Sequence, residues 1–203
     1  MTEEEIVLEE KDEDTAEKEK KRKHDRAHSF LMELLSNSLF LLAVLIFTLL
    51  LVKYVGQRTV VIGQSMEKTL YNGDNLIVDK ISYRFRDPKR FEVVVFPYQY
   101  EEKTYYIKRV IGLPGEKVRI AEGVIYINGE PLIENYGAEV MKKAGIAETE
   151  IQLADDEYFV LGDNRNNSKD SRDSMVGPVK KSDLIGRAWL RIFPFDKIGF
   201  VKH

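Results

Sequence analysis

The feature that most constrains this chain is an uncharged stretch of 19 residues, Leu34–Val52. From Leu39 to its end, Thr48 is the one residue that is not apolar. A helix of about 20 residues spans a hydrocarbon core of about 30 Å, so the stretch predicts a transmembrane helix. A cleavable leader would start nearer the N-terminus, have a shorter apolar run and offer small residues at a cleavage site. Here 33 residues precede the stretch and Lys53-Tyr54-Val55 follows it. We therefore expect a retained anchor helix over residues 30–55.

The charges on either side of this stretch predict its orientation. The basic residues close before it are Lys18, Lys20, Lys21, Arg22, Lys23 and Arg26, whereas Lys53 and Arg58 follow it. The positive-inside rule then places the N-terminus in the cytoplasm and everything from about residue 56 outside. Residues 1–29 are rich in charge and poor in apolar side chains, which predicts a disordered cytoplasmic tail. The expected location is thus the plasma membrane, crossed once.

Residues 56–203 form a segment long enough to bury a core of its own. The segment contains short runs of β-branched and aromatic residues, which favour strands. These runs are residues 60–62, 76–78, 93–96, 105–107, 118–120, 124–127, 158–161 and 188–193. Residues 121–123 predict a hairpin turn, and Asn128-Gly129 predicts another tight turn. Helical character is weak and confined to residues 136–147. The expected fold is mostly β, an antiparallel β domain outside the membrane behind one N-terminal helix.

The residue types available limit the chemistry of this domain. The chain has no cysteine, and its three histidines are His24, His28 and His203. A cysteine nucleophile and a histidine-based triad inside the fold are therefore excluded. A serine hydroxyl can instead be deprotonated by a lysine amine if burial lowers the amine's pKa.

Ser65 and Lys108 are the candidates for such a pair. Ser65 follows a predicted strand and Gly63, which permits a backbone conformation that leaves amides free to face an oxyanion. Strand alternation places Tyr106, Lys108 and Val110 on one face, so Lys108 would lie in a partly apolar wall. An ordinary serine at a strand end and a surface lysine remain open as alternatives for each segment taken singly.

A polar segment over residues 162–172 directly follows a predicted strand. It is too polar for a core, and a solvated loop is the plain interpretation. It does not fit a calcium-binding loop, because Arg165 occupies a ligand position and Ser168 replaces the turn glycine.

Taken together and in order, these segments resemble bacterial type I signal peptidases, the membrane-bound Ser–Lys proteases that remove signal peptides from exported proteins. The matching boxes are Ser65-Met66-Glu67-Lys68-Thr69-Leu70, Gly73-Asp74, residues 90–97, residues 106–115 and the full box at residues 162–172. The single anchor is similar to that of the shorter, Gram-positive type. Two departures stand out: the family motif has proline where this chain has Lys68, and some members carry a hydroxyl where this chain has Gly63.

The resemblance implies a role for each matching residue. Ser65 would be the nucleophile and Lys108 its general base, with the Ser65 amide forming the oxyanion hole. Ser168 would orient the lysine amine, and Asp170 and Arg172 would form an ion pair that supports the loop. The loss of proline at Lys68 predicts a looser turn after the nucleophile. Gly63 means that the second oxyanion donor is either missing or supplied by another group. The predicted lining of shallow pockets for small substrate residues is Val61, Met66, Leu70, Tyr106 and Ile107.

The implied activity is a serine endopeptidase that cleaves N-terminal signal peptides from preproteins, with no metal and no organic cofactor. The expected partners are preprotein signal peptides and the lipid bilayer, with the secretion translocon as a further candidate and no nucleic acid. Phe85, Phe91 and Trp189 are candidates for contact with lipid. One alternative is a different Ser–Lys protease, such as a self-cleaving repressor-type domain. Another is a catalytically silent, membrane-tethered paralogue that binds preproteins or the translocon, and a third is a purely structural surface protein.

Overall fold

The computed structural model describes residues 29–51 and 53–203. The chain divides into two compact units, with the boundary between Leu51 and Val52. The predicted tail over residues 1–29 thus lies outside the described residues, apart from Ser29.

The first unit contains helix α1, Ser29–Leu51, of 23 residues. Its side chains are exposed along its whole length, although most of them are leucine, phenylalanine and other large apolar residues. The polar Thr48 is satisfied within the helix, because its Oγ1 donates to the Val44 carbonyl at 2.9 Å. The helix is long and apolar enough to cross a bilayer, which confirms the predicted apolar helix by length and composition.

The second unit is built from twelve strands among the residues that the structure describes. In chain order they are β1 Gly56–Val60, β2 Asn75–Asp79, β3 Val93–Pro97, β4 Tyr105–Gly112, β5 Lys117–Ala121, β6 Val124–Ile127, β7 Glu130–Pro131, β8 Ile151–Gln152, β9 Glu157–Leu161, β10 Val179–Lys180, β11 Gly186–Phe193 and β12 Gly199–Phe200. Four short 3-10 helices complete the elements of residues 53–203: Ser82–Arg84, Gly145–Glu148, Lys181–Asp183 and Phe195–Lys197.

The strands form two antiparallel sheets, which confirms the predicted fold class. The large sheet has the order β1-β2-β11-β3-β4-β9-β10, with β12 paired to β11. The small sheet has the order β7-β6-β5-β8. Its centre is the predicted hairpin, in which Ala121 pairs with Val124. The Asn128-Gly129 turn joins β6 to β7, and both of its residues have positive φ, as the sequence indicated.

Sequence and structure differ at two places in this domain. The predicted strand over residues 60–62 is shifted, because β1 ends at Val60 and the chain then enters the turn that carries Ser65. The weak helix predicted over residues 136–147 is wrong, since a single 3-10 turn begins at Gly145. This segment instead packs Met141 and Ala147 into the hydrophobic core of the small sheet. The Ile146 N–H donates to the Arg172 carbonyl at 2.9 Å. Tertiary contacts therefore replace the hydrogen bonds of a helix.

Candidate active site

The turn after β1 presents Ser65 at a half-buried position. Ladder bonds run on past the strand end, since Val61 donates to the Asp74 carbonyl at 2.8 Å and Gly73 donates to the Val61 carbonyl at 2.9 Å. The chain then turns at Gly63, whose φ is +94° and whose N–H donates to Asn72 Oδ1 at 2.9 Å. Glycine adopts this conformation without the strain that a side chain would add, so it sets the direction in which the serine points.

Lys108 lies inside β4, where it pairs with Val94 of β3. The side chain is 3% exposed, and its Nζ lies 2.7 Å from Ser65 Oγ. The same nitrogen donates to the Ile107 carbonyl at 3.0 Å. Strand pairing thus fixes the backbone of the lysine, and the Ser65 turn brings the hydroxyl to its tip.

Burial changes the acidity of this amine. Loss of water lowers the pKa of Lys108 to about 8 from its ordinary value of 10.5, because the charged form is poorly solvated there. The Asp170 and Asp163 carboxylates act in the opposite direction, since negative charge favours the ammonium. With a pKa of about 8, roughly a tenth of the amine is neutral at pH 7 and able to accept a proton from Ser65, and this fraction rises with pH.

The Ser65 backbone amide is available to a substrate. In the part of the chain that the structure describes, its N–H has no hydrogen-bond partner. The Ser65 carbonyl, by contrast, is held by the Asn164 N–H at 3.0 Å. An unpaired N–H beside a nucleophile is the arrangement that an oxyanion hole requires.

The segment over residues 162–172 follows β9 and lies behind Ser65. Asp170 and Arg172 form a bidentate ion pair, with Nε–Oδ1 and Nη2–Oδ2 distances of 2.8 Å. Asp170 also accepts from the Gly162 N–H at 3.0 Å, and Arg172 donates to the Arg165 carbonyl at 2.6 Å. The pair therefore ties both ends of the loop together.

The resemblance implies that Ser168 orients the Lys108 amine, but the structure shows no hydrogen bond between the two. Its Oγ is buried and has no hydrogen-bond partner among the described residues, Lys108 included. It lies close to Gly162, where an added Cβ would clash with it. Its orienting role stays a prediction.

A second buried ion pair was not identified from the sequence. Arg109 and Asp163 are both fully buried and joined through two hydrogen bonds of 2.8 and 2.7 Å. Thr69 Oγ1 donates to Asp163 Oδ2 at 2.6 Å, which links the pair to the Ser65 turn. Asp163 belongs to the polar box and Arg109 follows Lys108, but no sequence signal shows that the two side chains meet.

A cleft of about 790 Å³ opens in front of Ser65 and Lys108. Four of the five predicted pocket residues line it: Val61, Met66, Tyr106 and Ile107. Leu70 is not among the residues that line the cleft, and its pocket role stays a prediction. It is 1% exposed and belongs to the core cluster of the large sheet, because its N–H donates to the Met66 carbonyl and the turn directs the side chain inward.

Lys68 also departs from expectation. Its φ is +86°, a left-handed conformation that proline cannot adopt. The turn is therefore not a loosened form of a proline turn. The Lys68 side chain is exposed and donates to the Gly137 carbonyl at 3.3 Å, whereas the amine beside Ser65 is that of Lys108.

An antiparallel β fold with a serine hydroxyl against a buried lysine amine is typical of a serine endopeptidase that uses an amine where others use histidine. Residues 31–193 match the family model described as "Signal peptidase, peptidase S26". A probable signal peptidase I-2 from a Synechocystis species is 42% identical over 153 residues, which cover 73% of this chain and 68% of the relative. Signal peptidase I P from Bacillus subtilis subsp. natto is 36% identical, covering 80% of this chain and 90% of the relative. A crystal structure of a signal peptidase I from Enterococcus faecalis aligns with a TM-score of 0.43 and 34% identity, covering 50% of this chain and 97% of that one. This chain belongs to the signal peptidase family S26.

Proposed function

We propose that this protein is a membrane-anchored serine endopeptidase that cleaves N-terminal signal peptides from exported preproteins, with Ser65 as nucleophile and Lys108 as general base. The observation that carries the proposal is the 2.7 Å approach of the Lys108 amine to the Ser65 hydroxyl, with Lys108 only 3% exposed.

The geometry supports a two-stage reaction. The neutral Lys108 amine accepts the Ser65 proton while Oγ attacks the scissile carbonyl, and the Ser65 N–H donates to the developing oxyanion. The Lys108 ammonium then gives its proton to the leaving amine, which releases the mature protein and leaves an acyl ester on Ser65. In the second stage Lys108 accepts a proton from water as the water attacks the ester, and returns it to Ser65 as the signal peptide leaves.

The cleft suits an extended peptide. Strand β9 pairs with β4 from Arg109 onward, so Tyr105–Lys108 keeps one edge free of strand partners among the described residues. Residues 59–64 line the cleft as well, and β1 is an edge strand of its sheet. A peptide can therefore form main-chain hydrogen bonds with free strand edges. Val61, Met66, Tyr106 and Ile107 are apolar or aromatic, which suits small uncharged side chains in the residues before the scissile bond.

The length of helix α1 supports a location of this protein at the membrane. Helix α1 has 23 residues, or about 34 Å at ~1.5 Å per residue, enough to cross a hydrocarbon core. The basic residues before it favour a cytoplasmic N-terminus. With the anchor over residues 30–55, the peptidase domain over residues 56–203 would then lie outside. There the domain would meet preproteins as they leave the translocon.

Exposed aromatic side chains support lipid contact by the domain itself. Phe85 is 82% exposed and Trp189 39% exposed. Phe91 does not fit this role, because it is half-buried and packs on Tyr136 with ring centroids 5.1 Å apart. Aromatic rings are favoured at the membrane interface.

Cleavage of a purified preprotein with a small-x-small site tests the proposal. We expect Ser65→Ala and Lys108→Met each to abolish formation of the mature product on a gel. Lys68→Ala is the matched control, because it removes a nearby lysine that does not contact Ser65, and it should keep most of the activity. Mass spectrometry of the product should place the cut after the small residue.

The same experiment separates the alternatives. Full activity of Lys108→Met would overturn the dyad. An inactive wild-type protein that still retains the preprotein would instead favour the catalytically silent paralogue.

A further inference from the structure

A layered stack of side chains lies against the Lys108 amine. The amine is 5.0 Å from the centroid of the Tyr106 ring. Tyr106 stacks on Tyr98 with centroids 4.7 Å apart and planes 11° apart. The amine of Lys169 lies at the hydroxyl end of Tyr98, 2.6 Å from the phenol oxygen and 4.7 Å from the ring centroid. The order Lys108, Tyr106, Tyr98, Lys169 is thus set by direct contacts.

We propose that Lys169 is a positioning residue that holds Tyr98 against Tyr106 and so keeps the wall of rings closed over the Lys108 amine. The inference rests on the proposed function, because it matters to catalysis only if Lys108 is the base. Lys169 touches neither Ser65 nor Lys108 through a hydrogen bond, and it acts through the two tyrosines.

The Tyr98 ring needs a side-chain contact to hold it against Tyr106, because Tyr98 lies in a turn at the surface. The residue lies just after β3, in a turn closed by the bond from its N–H to the Thr104 carbonyl at 2.8 Å. Backbone bonds fix the turn but not the ring, which is half-buried and borders solvent. The Lys169 ammonium donates to the phenol oxygen at 2.6 Å and so holds the ring at its hydroxyl end, and a hydrogen bond from a charged donor is stronger than one between neutral groups. Tyr100 packs on Tyr98 at a more open angle, with centroids 5.6 Å and planes 56° apart.

The charges around Lys108 fix the sign of the effect. Asp163 and Asp170 face the amine from the loop, and they are paired with Arg109 and Arg172 respectively. Lys108 also contacts Tyr106 of its own strand and Ser65 of the turn after β1. Lys169, from the loop after β9, lines the same cleft. Lys169 itself has Tyr98, Tyr106 and Asp173 as charged or titratable neighbours, with Met175 Sδ at 3.7 Å.

Removing Lys169 has two consequences that act in one direction. Water gains access to Lys108 when the wall loosens, and a positive charge in the same cleft is lost. Both changes favour the protonated Lys108, so its pKa should rise and the acidic limb of the activity profile should move to higher pH.

The test is kcat/KM for a fluorogenic signal-peptide substrate, measured from about pH 6 to about pH 9.5 with the full-length protein in detergent. We expect Lys169→Ala to move the midpoint of the acidic limb upward by about 0.5 to 1 pH unit, which is a roughly 3- to 10-fold loss at pH 7. The loss should vanish toward pH 9.5, where Lys108 is neutral in either protein. Lys169→Arg should restore the profile, and Tyr98→Phe should produce a smaller shift because the ring stack remains.

Two controls make the outcome specific. Lys117→Ala removes an exposed lysine on the small sheet, paired with Glu150 at 3.2 Å, and should leave the profile unchanged. Thermal unfolding of each variant shows whether it is folded. An unchanged midpoint in Lys169→Ala, or an equal loss at every pH, would overturn the positioning role while an inactive Lys108→Met still upholds the dyad. An active Lys108→Met would overturn the proposed function itself.

Discussion

Burial has two opposite effects on Lys108. It supplies the neutral amine that the proposed reaction needs, and it destabilises the fold. A pKa lowered from 10.5 to about 8 corresponds to about 3 kcal/mol of free energy of unfolding. Because the folded-state pKa lies below the unfolded one, this cost is complete below pH 8, declines as the pH rises and disappears above 10.5. The domain must offset it elsewhere, and the buried apolar clusters of the two sheets are the sources that the structure shows.

At Lys68 the backbone conformation predicts how substitutions behave. A side chain at φ +86° is strained, so Lys68→Gly should raise the free energy of unfolding by up to about 1 kcal/mol. Lys68→Pro restores the family's residue, yet it should destabilise by more than about 1 kcal/mol, because proline requires a φ near −65°. Urea unfolding followed by circular dichroism measures both.

Lys89→Gly is the matched control for this prediction. Lys89 is also exposed but does not have positive φ, so glycine there should destabilise the domain by about 0.5 to 1 kcal/mol. A more stable Lys68→Pro variant would mean that the turn adopts another conformation.

At the scale of elements, the site depends on how closely the end of β9 approaches the Ser65 turn. Gly162 follows β9 directly, and the Asn164 N–H binds the Ser65 carbonyl at 3.0 Å. The Arg109–Asp163 pair joins β4 to the same loop. Strand β4 thus supplies the proposed base, Lys108, and the loop after β9 fixes the backbone of the proposed nucleophile, Ser65.

Gly162→Ala tests this approach. A Cβ there would lie 2.5 Å from the Ser65 carbonyl oxygen and clash with Ser168 Oγ, so the Ser65 turn must move. A displacement of about 1 Å at a reacting group can lower the rate about 100-fold, and we expect a loss of kcat/KM of that order. The free energy of unfolding should fall by about 1 to 3 kcal/mol, as for other overpacked sites.

The comparison for this variant is Gly199→Ala. Within the described part of the chain no atom lies within 4 Å of a Cβ at Gly199, and its φ is not positive, so both activity and stability should stay close to wild type. Wild-type kcat/KM in Gly162→Ala would show that the loop does not fix the nucleophile.

At the scale of the whole molecule, the proposed topology separates residues of one chain by a membrane. The chain contains no cysteine, so single introduced cysteines report their own location. Position 13 lies in the charged segment before the helix, and Glu130 is exposed on β7.

Labelling of intact cells with a membrane-impermeant maleimide tests this topology. Glu130→Cys should react from outside, and Glu13→Cys should react only after the cells are permeabilised. Leu45→Cys, within helix α1, should stay unlabelled in both conditions because it would lie in hydrocarbon. The reverse pattern for the first two variants would contradict an N-terminus in the cytoplasm.

The sequence by itself determined the long apolar helix, the β class of the domain and the family. It also indicated which serine and lysine to pair. These features depend on composition, alternation and ordered motifs, which are local. The tertiary structure alone decided which buried groups meet: Arg109 with Asp163, Asn164 with the Ser65 carbonyl, and Lys169 with Tyr98. Only the structure shows that Leu70 lies in the core and that Lys68 has a backbone conformation that proline cannot adopt. Such contacts join residues up to about a hundred positions apart, and a local pattern of side chains carries no information about which of them come together.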